Sequence, residues 1–305
     1  MRTIALIPAY NEERNIENII TQTKKFVDHI LVIDDGSTDR TRELAKKAGA
    51  EVFSHKKNQG LGVTIRTGYL LALDMKYDIV VQIDADGQYT PNEIPALVRP
   101  IIEDEADMVL GSRLENLMYE MPRIKKIGNR AFTWVLRKMT HEDIKDGQTG
   151  FRALRREVLE TALPSSKFSY TQEMIIRVAK EGWRIKSVPI HFYPRYDGKS
   201  RLFGSSIAFA VKGWVIILRT LRDYHPLSFF GFPGLLLGIS GFIVCLYVLA
   251  MYITTGLVSP RMPTLILGVL LLLSGIQLFF AGMTADMIKT HPPNGANWKK
   301  PPGSY

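Results

Sequence analysis

Up to about residue 115 the chain alternates short apolar runs with stretches of helical spacing. Thr3–Ile7, Ile30–Ile33, Glu51–Ser54, Ile79–Ile83 and Met108–Leu110 read as strands. Glu13–Phe26, Thr38–Ala48, Gly62–Met75 and Pro91–Glu103 read as the helices between them. Strands alternating with helices predict an α/β domain, a parallel sheet covered by helices. Farther on, two segments separate basic from apolar positions. In Met121–Met139, Arg123, Lys126, Arg130 and Arg137 fall within about 60° of one another on a wheel of about 100° per residue, with Ile127, Ala131, Trp134 and Val135 elsewhere. In Phe203–Arg222, Ser205, Lys212 and Arg219 share a polar stripe beside Phe203, Ile207, Val211, Trp214, Leu218 and Leu221. Basic amphipathic helices with Trp suit a membrane headgroup layer. The same pattern also fits a helix packed on the sheet with a solvated basic face.

After residue 225 the pattern changes. Phe229–Ile253 and Pro263–Ala285 contain no charged residue, and each exceeds the roughly 20 residues that a membrane helix needs. The short linker Thr254–Met262 makes them a hairpin with both ends on one side. Lys212, Arg219, Arg222, Lys289, Lys299 and Lys300 flank this hairpin, against Arg261 alone in its loop. The positive-inside rule then places the N-terminal domain and both termini in the cytoplasm. Met1 and Arg2 lead into a strand-like run with no signal peptide ahead of it. The expected organisation is a catalytic α/β domain over 1–200, an interfacial amphipathic helix over 201–226, two membrane helices within 227–288 (about 229–253 and 263–285) and a cytoplasmic tail over 289–305.

Composition sharpens this picture. The mean hydropathy of +0.00 is an average over a charged domain and a nearly uncharged hairpin. The net charge of +9 divides into +6 before residue 225 and +3 from there on. It suits phosphates and an anionic membrane face, and no motif points to nucleic acid. A single cysteine, Cys245, excludes an internal disulfide and a cysteine-rich zinc site, and its place in an apolar run makes it inert.

Ligands of a parallel sheet bind at the carboxyl ends of its strands, and a polar cluster follows each predicted strand. These are PAYNE (Pro8–Glu12), DDGSTD (Asp34–Asp39), KKNQG (Lys56–Gly60), DADGQ (Asp84–Gln88) and GSR (Gly111–Arg113). Asp84 and Asp86 put two hard oxygen donors on one turn, which suits Mg²⁺ or Mn²⁺ with Gln88 as a third oxygen; a solvated turn is the plain alternative. Ser37 or Thr38 fits as the cap of the next helix, and Asp35 as an acceptor for a ribose or base. Tyr10 offers a face for a base and Glu12 an acceptor, while Asn11 reads equally as a helix cap. Lys57, Asn58, Gly60 and Gly62 make a positively charged loop open to close backbone approach. Neither the P-loop signature nor GxGxxG occurs.

The order of these clusters, continued by DGQTGFR (Asp146–Arg152), resembles the family-2 glycosyltransferases of the GT-A fold. Within them it is similar to the polyprenyl-phosphate sugar transferases of the dolichyl-phosphate mannose synthase type. The resemblance spans roughly residues 1–225. It implies a Rossmann-like, mostly parallel sheet with helices on both faces. It implies that Pro8, Tyr10, Glu12 and Asp35 contact the nucleotide, in a nucleotide-sugar site completed by Asn11, Lys57, Gly60 and Asp84. It implies that Asp84, Asp86 and Gln88 hold Mg²⁺ or Mn²⁺ on the sugar diphosphate. Arg113, Arg123, Arg195 and Arg201 would meet the phosphate of a lipid acceptor, the last two from the basic loop RYDGKSR (Arg195–Arg201). The QxxRW of processive synthases is absent near Trp183, which disfavours a polysaccharide synthase.

The expected reaction is attack by a polyprenyl (dolichyl) phosphate oxygen on the anomeric carbon of a nucleotide sugar, with inversion, at the cytoplasmic membrane face. A phosphate monoester is already anionic near neutral pH, so the site needs arginines to orient it more than a strong base. Asp86 and Arg113 are the main catalytic candidates. Asp146 either orients an arginine or a sugar hydroxyl, or is a turn residue before Gly147. Two alternatives stay open: a transferase with a protein or glycan acceptor, and a non-catalytic membrane-anchored nucleotide-sugar binder. GDP-mannose and the UDP-hexoses are equally compatible as donors, and a homo-oligomer is compatible too.

Overall fold

The computed structural model describes residues 1–117, 123–140, 142–164, 170–194, 215, 218, 219, 222 and 225–290. The chain divides into two compact units, 1–211 with 300–305, and 212–299.

In the first unit β1 (Thr3–Ala9), β2 (His29–Asp34), β3 (Glu51–Ser54) and β4 (Ile79–Gln82) pair in parallel. β5 (Met108–Leu117) runs parallel to β7 (Ile185–Phe192). β6 (Arg152–Arg155) lies antiparallel between β4 and β5. The order is β3-β2-β1-β4-β6-β5-β7. The sheet is therefore mixed but mostly parallel, as the resemblance implied, with β6 the antiparallel strand within it. RALR carries two arginines in four residues, so no apolar run announces it. It becomes a strand because a gap between β4 and β5 offers it main-chain partners on both sides.

Helices cover both faces. Ala5, Ile7 and Ala9 point into a cluster with Ile16, Ile19 and Ile20 of α1 (Ile16–Thr23), Ala45 of α2 (Thr41–Lys47), and Leu97 and Ile101 of α4 (Ile94–Ile102). α3 (Leu61–Asp74) covers the opposite face so closely that a Cβ on Gly68 would lie 2.2 Å from Leu6 Cδ1. Burial on both faces is why the central strands are unbroken apolar runs; each fully buried Ile or Leu contributes about 1.5–3 kcal/mol. Pro8 stands in this central strand without cost. Leu6 accepts Ile83 N on the β4 side while Ala9 accepts Asp35 N on the β2 side. By alternation Pro8 faces β4, which has ended at Gln82, so the missing N–H has no ladder partner to lose. α5 (Arg123–Thr140), α6 (Arg156–Ala162) and α7 (Tyr170–Lys180) complete the unit.

The second unit holds α8 (Pro226–Thr255) and α9 (Met262–Thr290), both long and apolar enough to cross a membrane. Most of their side chains face outward, unlike the core helices of a soluble protein. Pro226 opens α8 at a position where a missing N–H is harmless. Gly256, at φ 69°, closes it in the left-handed conformation. The helices meet through glycines: a Cβ on Gly275 would lie 2.3 Å from Gly238 N, and one on Gly241 2.4 Å from Leu272 N. Gly268, Gly275 and Gly282 recur at heptad spacing along α9 and all meet α8, Gly268 against Cys245 Sγ. Backbones of membrane helices approach this closely only at small residues. Gly238→Ala has open space for its methyl group, whereas Gly275→Ala forces the helices apart and should cost about 1–3 kcal/mol. Thermal melting of the detergent-solubilised pair of variants checks this; equal melting temperatures would show that the hairpin repacks freely.

Candidate active site

The loops after β1 and β2 are laced together. Asn11 adopts φ 54°; its Oδ1 accepts from Thr38 N at 2.8 Å, and its own N–H donates to Ser37 Oγ at 2.9 Å. Glu12 N donates to Thr41 Oγ1 and Glu13 N to Asp39 Oδ2. These bonds correct the capping expectations. Asn11 joins two loops instead of capping α1, and neither Ser37 nor Thr38 caps α2. Arg40 stands at the N-cap of α2 without a side-chain cap bond, and Asp39 just before it accepts from Thr41 N and Oγ1 through Oδ1. Burial works to raise the Asp39 pKa, but the Thr41 and Glu13 donors outweigh it and hold the carboxyl below its ordinary value. The loop after β3 closes over the same region. Gly36, at φ +73°, lies so near it that a Cβ would be 2.7 Å from Lys57 C. Asp35, almost wholly buried, anchors that loop by accepting from Gln59 N and Gly60 N, both at 2.9 Å, and from His55 Nδ1 at 2.8 Å. Pro8 is buried, while Tyr10 and Lys57 are exposed at the rim.

Beyond β4 the chain turns through Asp84, Asp86 and Gln88, with Gly87 at φ 75°. Gln88 N donates to Asp86 Oδ1 at 3.1 Å, and Gln88 Nε2 donates to Tyr193 O at 3.2 Å. Tyr89 bridges to Phe192, so this turn is stitched to the end of β7. Gly150 of DGQTGFR packs on Asp84, and a Cβ there would lie 2.5 Å from Asp84 Oδ2. Gly150 N donates to Tyr89 Oη at 3.1 Å. Burial pushes the Tyr89 phenol up to about 12, so it stays protonated.

GSR lies inside β5 and not after it, because β5 continues to Leu117. The pairing with β7 shifts register between Ser112 and Asn116, and this irregularity turns Arg113 toward the site. Arg113 grips Asp146 with a two-pronged fork, Nε to Oδ2 at 2.7 Å and Nη2 to Oδ1 at 3.0 Å. Its guanidinium lies over the Phe192 ring, 5.2 Å from the centroid. Asp146 is fully buried and also accepts from Asn129 Nδ2 and Gln148 N, both at 3.1 Å. Burial opposes its charge, but Arg113, Asn129 and Gln148 outweigh burial and keep the carboxyl below its ordinary value. For Arg113 burial likewise opposes the charge, and Asp146, by its charge and its hydrogen bonds, outweighs it to keep the guanidinium protonated.

Arg123 begins α5, with its side chain outside the described residues, as are Arg195, Arg201, most of Phe203–Arg222 and the tail from residue 291. Among the described residues no three His, Cys, Asp or Glu converge as a metal site. The Asp84–Gln88 turn supplies two carboxylates and an amide, hard oxygens that fit Mg²⁺ or Mn²⁺ when the remaining positions go to phosphate oxygens and water.

The model of glycosyl transferase family 2 matches residues 4–163, more than half of the chain and all the clusters from PAYNE to DGQTGFR. The chain belongs to glycosyltransferase family 2. Two curated relatives extend the comparison. Glycosyltransferase AglJ of Haloferax volcanii is 30% identical over 289 residues, 93% of this chain and 92% of that protein. The UDP-N-acetylglucosamine–dolichyl-phosphate N-acetylglucosaminyltransferase of Methanococcus voltae is 32% identical over 216 residues, 63% of this chain and 86% of that protein. Among solved structures, glucosyl-3-phosphoglycerate synthase from Mycobacterium tuberculosis, in complex with Mn²⁺, UDP-glucose and phosphoglyceric acid, superposes with a TM-score of 0.57 at 23% identity, covering 71% of this chain and 79% of that one. At that identity the likeness establishes the GT-A fold.

Several residues around the candidate site escaped the reading of the sequence. His55, Tyr89, Asn129 and Thr133 are single residues without a motif. Asn129 and Thr133 left one faint signal, a polar pair four apart in α5. The structure turns Asn129, Thr133 and Leu136 inward, and Thr133 Oγ1 accepts Gly147 N at 3.1 Å. Trp134 shares the exposed side with Lys138, whose Nζ lies 5.4 Å from its ring centroid.

Proposed function

We propose that this family-2 glycosyltransferase moves a sugar from a nucleotide-sugar donor to a polyprenyl (dolichyl) phosphate at the cytoplasmic face of a membrane, with inversion. The observation that carries this reading is the Arg113–Asp146 fork, which holds a guanidinium beside the Asp84–Gln88 turn in a chain that also has two membrane-length helices. Three of the guanidinium N–H groups remain after the fork with Asp146. They match the oxygens of a phosphate monoester, and the fixed orientation spares the acceptor the entropy of ordering a loose side chain. Arg123, Arg195 and Arg201 are proposed to add charge around the same phosphate. On the donor side, Tyr10 supplies a stacking face, Asp35 a base or ribose contact, and Asn11, Glu12, Lys57 and Gly60 the rim.

Asp84, Asp86 and Gln88 would hold Mg²⁺ or Mn²⁺, which supplies Lewis-acid neutralisation of the departing nucleoside diphosphate. Asp146 already receives donors from Arg113, Asn129 and Gln148, so it neither takes a proton from the acceptor nor attacks the sugar. Direct displacement by the lipid phosphate follows, and that inverts the anomeric centre. The two apolar helices would anchor the chain with both ends cytoplasmic, and domains 1–200, 201–226, 227–288 and 289–305 would divide catalysis, surface contact, anchoring and tail.

The test is a screen of GDP-mannose and UDP-hexoses with polyprenyl phosphate and Mg²⁺ or Mn²⁺, with the product identified by mass. A lipid-linked hexosyl phosphate is expected. Transfer to a peptide or glycan and none to the lipid would replace this reading. Gly150→Ala should push Asp84 out of position, lower the rate about a hundredfold and raise the metal concentration needed for half-maximal rate. An unchanged metal requirement would separate Gly150 from the metal turn.

A further inference from the structure

The bonds around Asp35 bear on which base the donor carries, and this inference rests on the reading of the chain as a nucleotide-sugar enzyme. A carboxylate offers roughly four lone-pair positions, two on each oxygen. On Asp35, Oδ1 accepts from His55 Nδ1 at 2.8 Å and from Gln59 N at 2.9 Å, while Oδ2 accepts from Gly60 N at 2.9 Å. The His55 bond requires the proton on Nδ1, since a carboxylate can only accept. Nε2 of the same ring is 3.2 Å from Thr67 Oγ1, so the imidazole is held from both sides. His55 and Asp35 side chains are 6% and 5% exposed, so solvent does not readily displace these partners. Oδ1 is therefore saturated, and one position is left, on Oδ2.

Guanine presents N1–H and N2–H side by side, and a carboxylate reads that edge with both oxygens. Uracil presents a single N–H, at N3, between two carbonyl oxygens. We infer that Asp35, with one open lone pair, selects a uridine donor over a guanosine donor, and that His55 is the positioning residue which sets this selectivity by occupying Oδ1. A site built for one donor leaves the second N–H of guanine buried without a partner, a penalty that discriminates strongly.

The test is calorimetric titration of the full chain in detergent with UDP and with GDP, in the presence of Mn²⁺ and without acceptor. UDP is expected to bind at least about tenfold more tightly than GDP. His55→Phe frees a lone pair on Oδ1 and keeps an aromatic ring beside Phe53, so the UDP-to-GDP ratio should fall several-fold with little change in melting temperature. A purely structural role for His55 would weaken both nucleotides alike. GDP binding as tightly as UDP, binding of neither, or an unchanged ratio in His55→Phe overturns the inference; the first result would move base reading to Glu12. Because no lipid is present, a uridine preference without transfer to polyprenyl phosphate would reject the acceptor reading and leave the base assignment standing.

Discussion

Asp86→Ala is expected to lower metal-dependent sugar transfer about a thousandfold, the loss that follows when roughly 4 kcal/mol of charge stabilisation on the leaving diphosphate is removed. The residue suits the test because it lies on the turn after β4 and outside the buried core. It is half-buried, and Oδ1 accepts Gln88 N. The variant should therefore fold, insert and melt like the parent while losing both rate and metal dependence. Asp84 is the poorer choice, since it packs against Gly150. Initial rates across a Mg²⁺ and Mn²⁺ series, with and without EDTA, check this. Full activity in EDTA, or an unimpaired Asp86→Ala enzyme, would remove the metal from the mechanism.

The second large effect falls on Arg113. Arg113→Ala leaves the Asp146 carboxylate buried without its countercharge, which should cost roughly 3–5 kcal/mol of stability and can obscure the kinetics. Arg113→Lys keeps the charge and loses the fork. With it, kcat/KM for the lipid phosphate should fall about a hundredfold, while the KM for the nucleotide sugar stays close to the parent value. An unchanged lipid kcat/KM in Arg113→Lys would reject the acceptor role. The same pair has a pH signature. The folded pKa of Asp146 lies below its unfolded value of about 3.9. Stability from the pair is thus complete above about pH 3.9 and lost as pH falls through the folded value. Melting temperatures of the parent should drop in that acid window, and Asp146→Asn should flatten the drop; identical acid profiles would show that the pair contributes nothing to stability.

Much of this protein was legible before any coordinates. The apolar runs of β1, β2 and β4 are buried on both faces, so burial itself writes them into the sequence. The uncharged stretches of α8 and α9 are equally direct, because length and the lack of charge alone mark a helix long and apolar enough to cross a membrane. Both membrane-length helices emerged longer than their uncharged runs, since Pro226 and Gly256 set the ends of α8 by backbone geometry. The glycine spacing of α9 was present in the sequence, but only the facing backbone of α8 gives it meaning. The strand β6 and the true length of β5 were hidden for a different reason. Their residues are polar or mixed, and their conformation is imposed by main-chain partners from elsewhere in the chain.

The candidate site divides the same way. The order of polar clusters after successive strands, and with it family 2 and the carboxylates Asp84 and Asp86, follows from local sequence, because loops at strand ends must be polar and turn-forming. Tertiary structure alone decided that Asp146 is a buried anchor for Arg113, that Asn11 ties two loops in place of a helix cap, and that His55 fills a lone pair of Asp35. Each depends on an atom between 17 and 33 residues away in the chain. A single residue has no period and no neighbours to advertise such a partner. Hydrogen bonds and charges are short-range in space, and no rule of local spacing carries them across a fold.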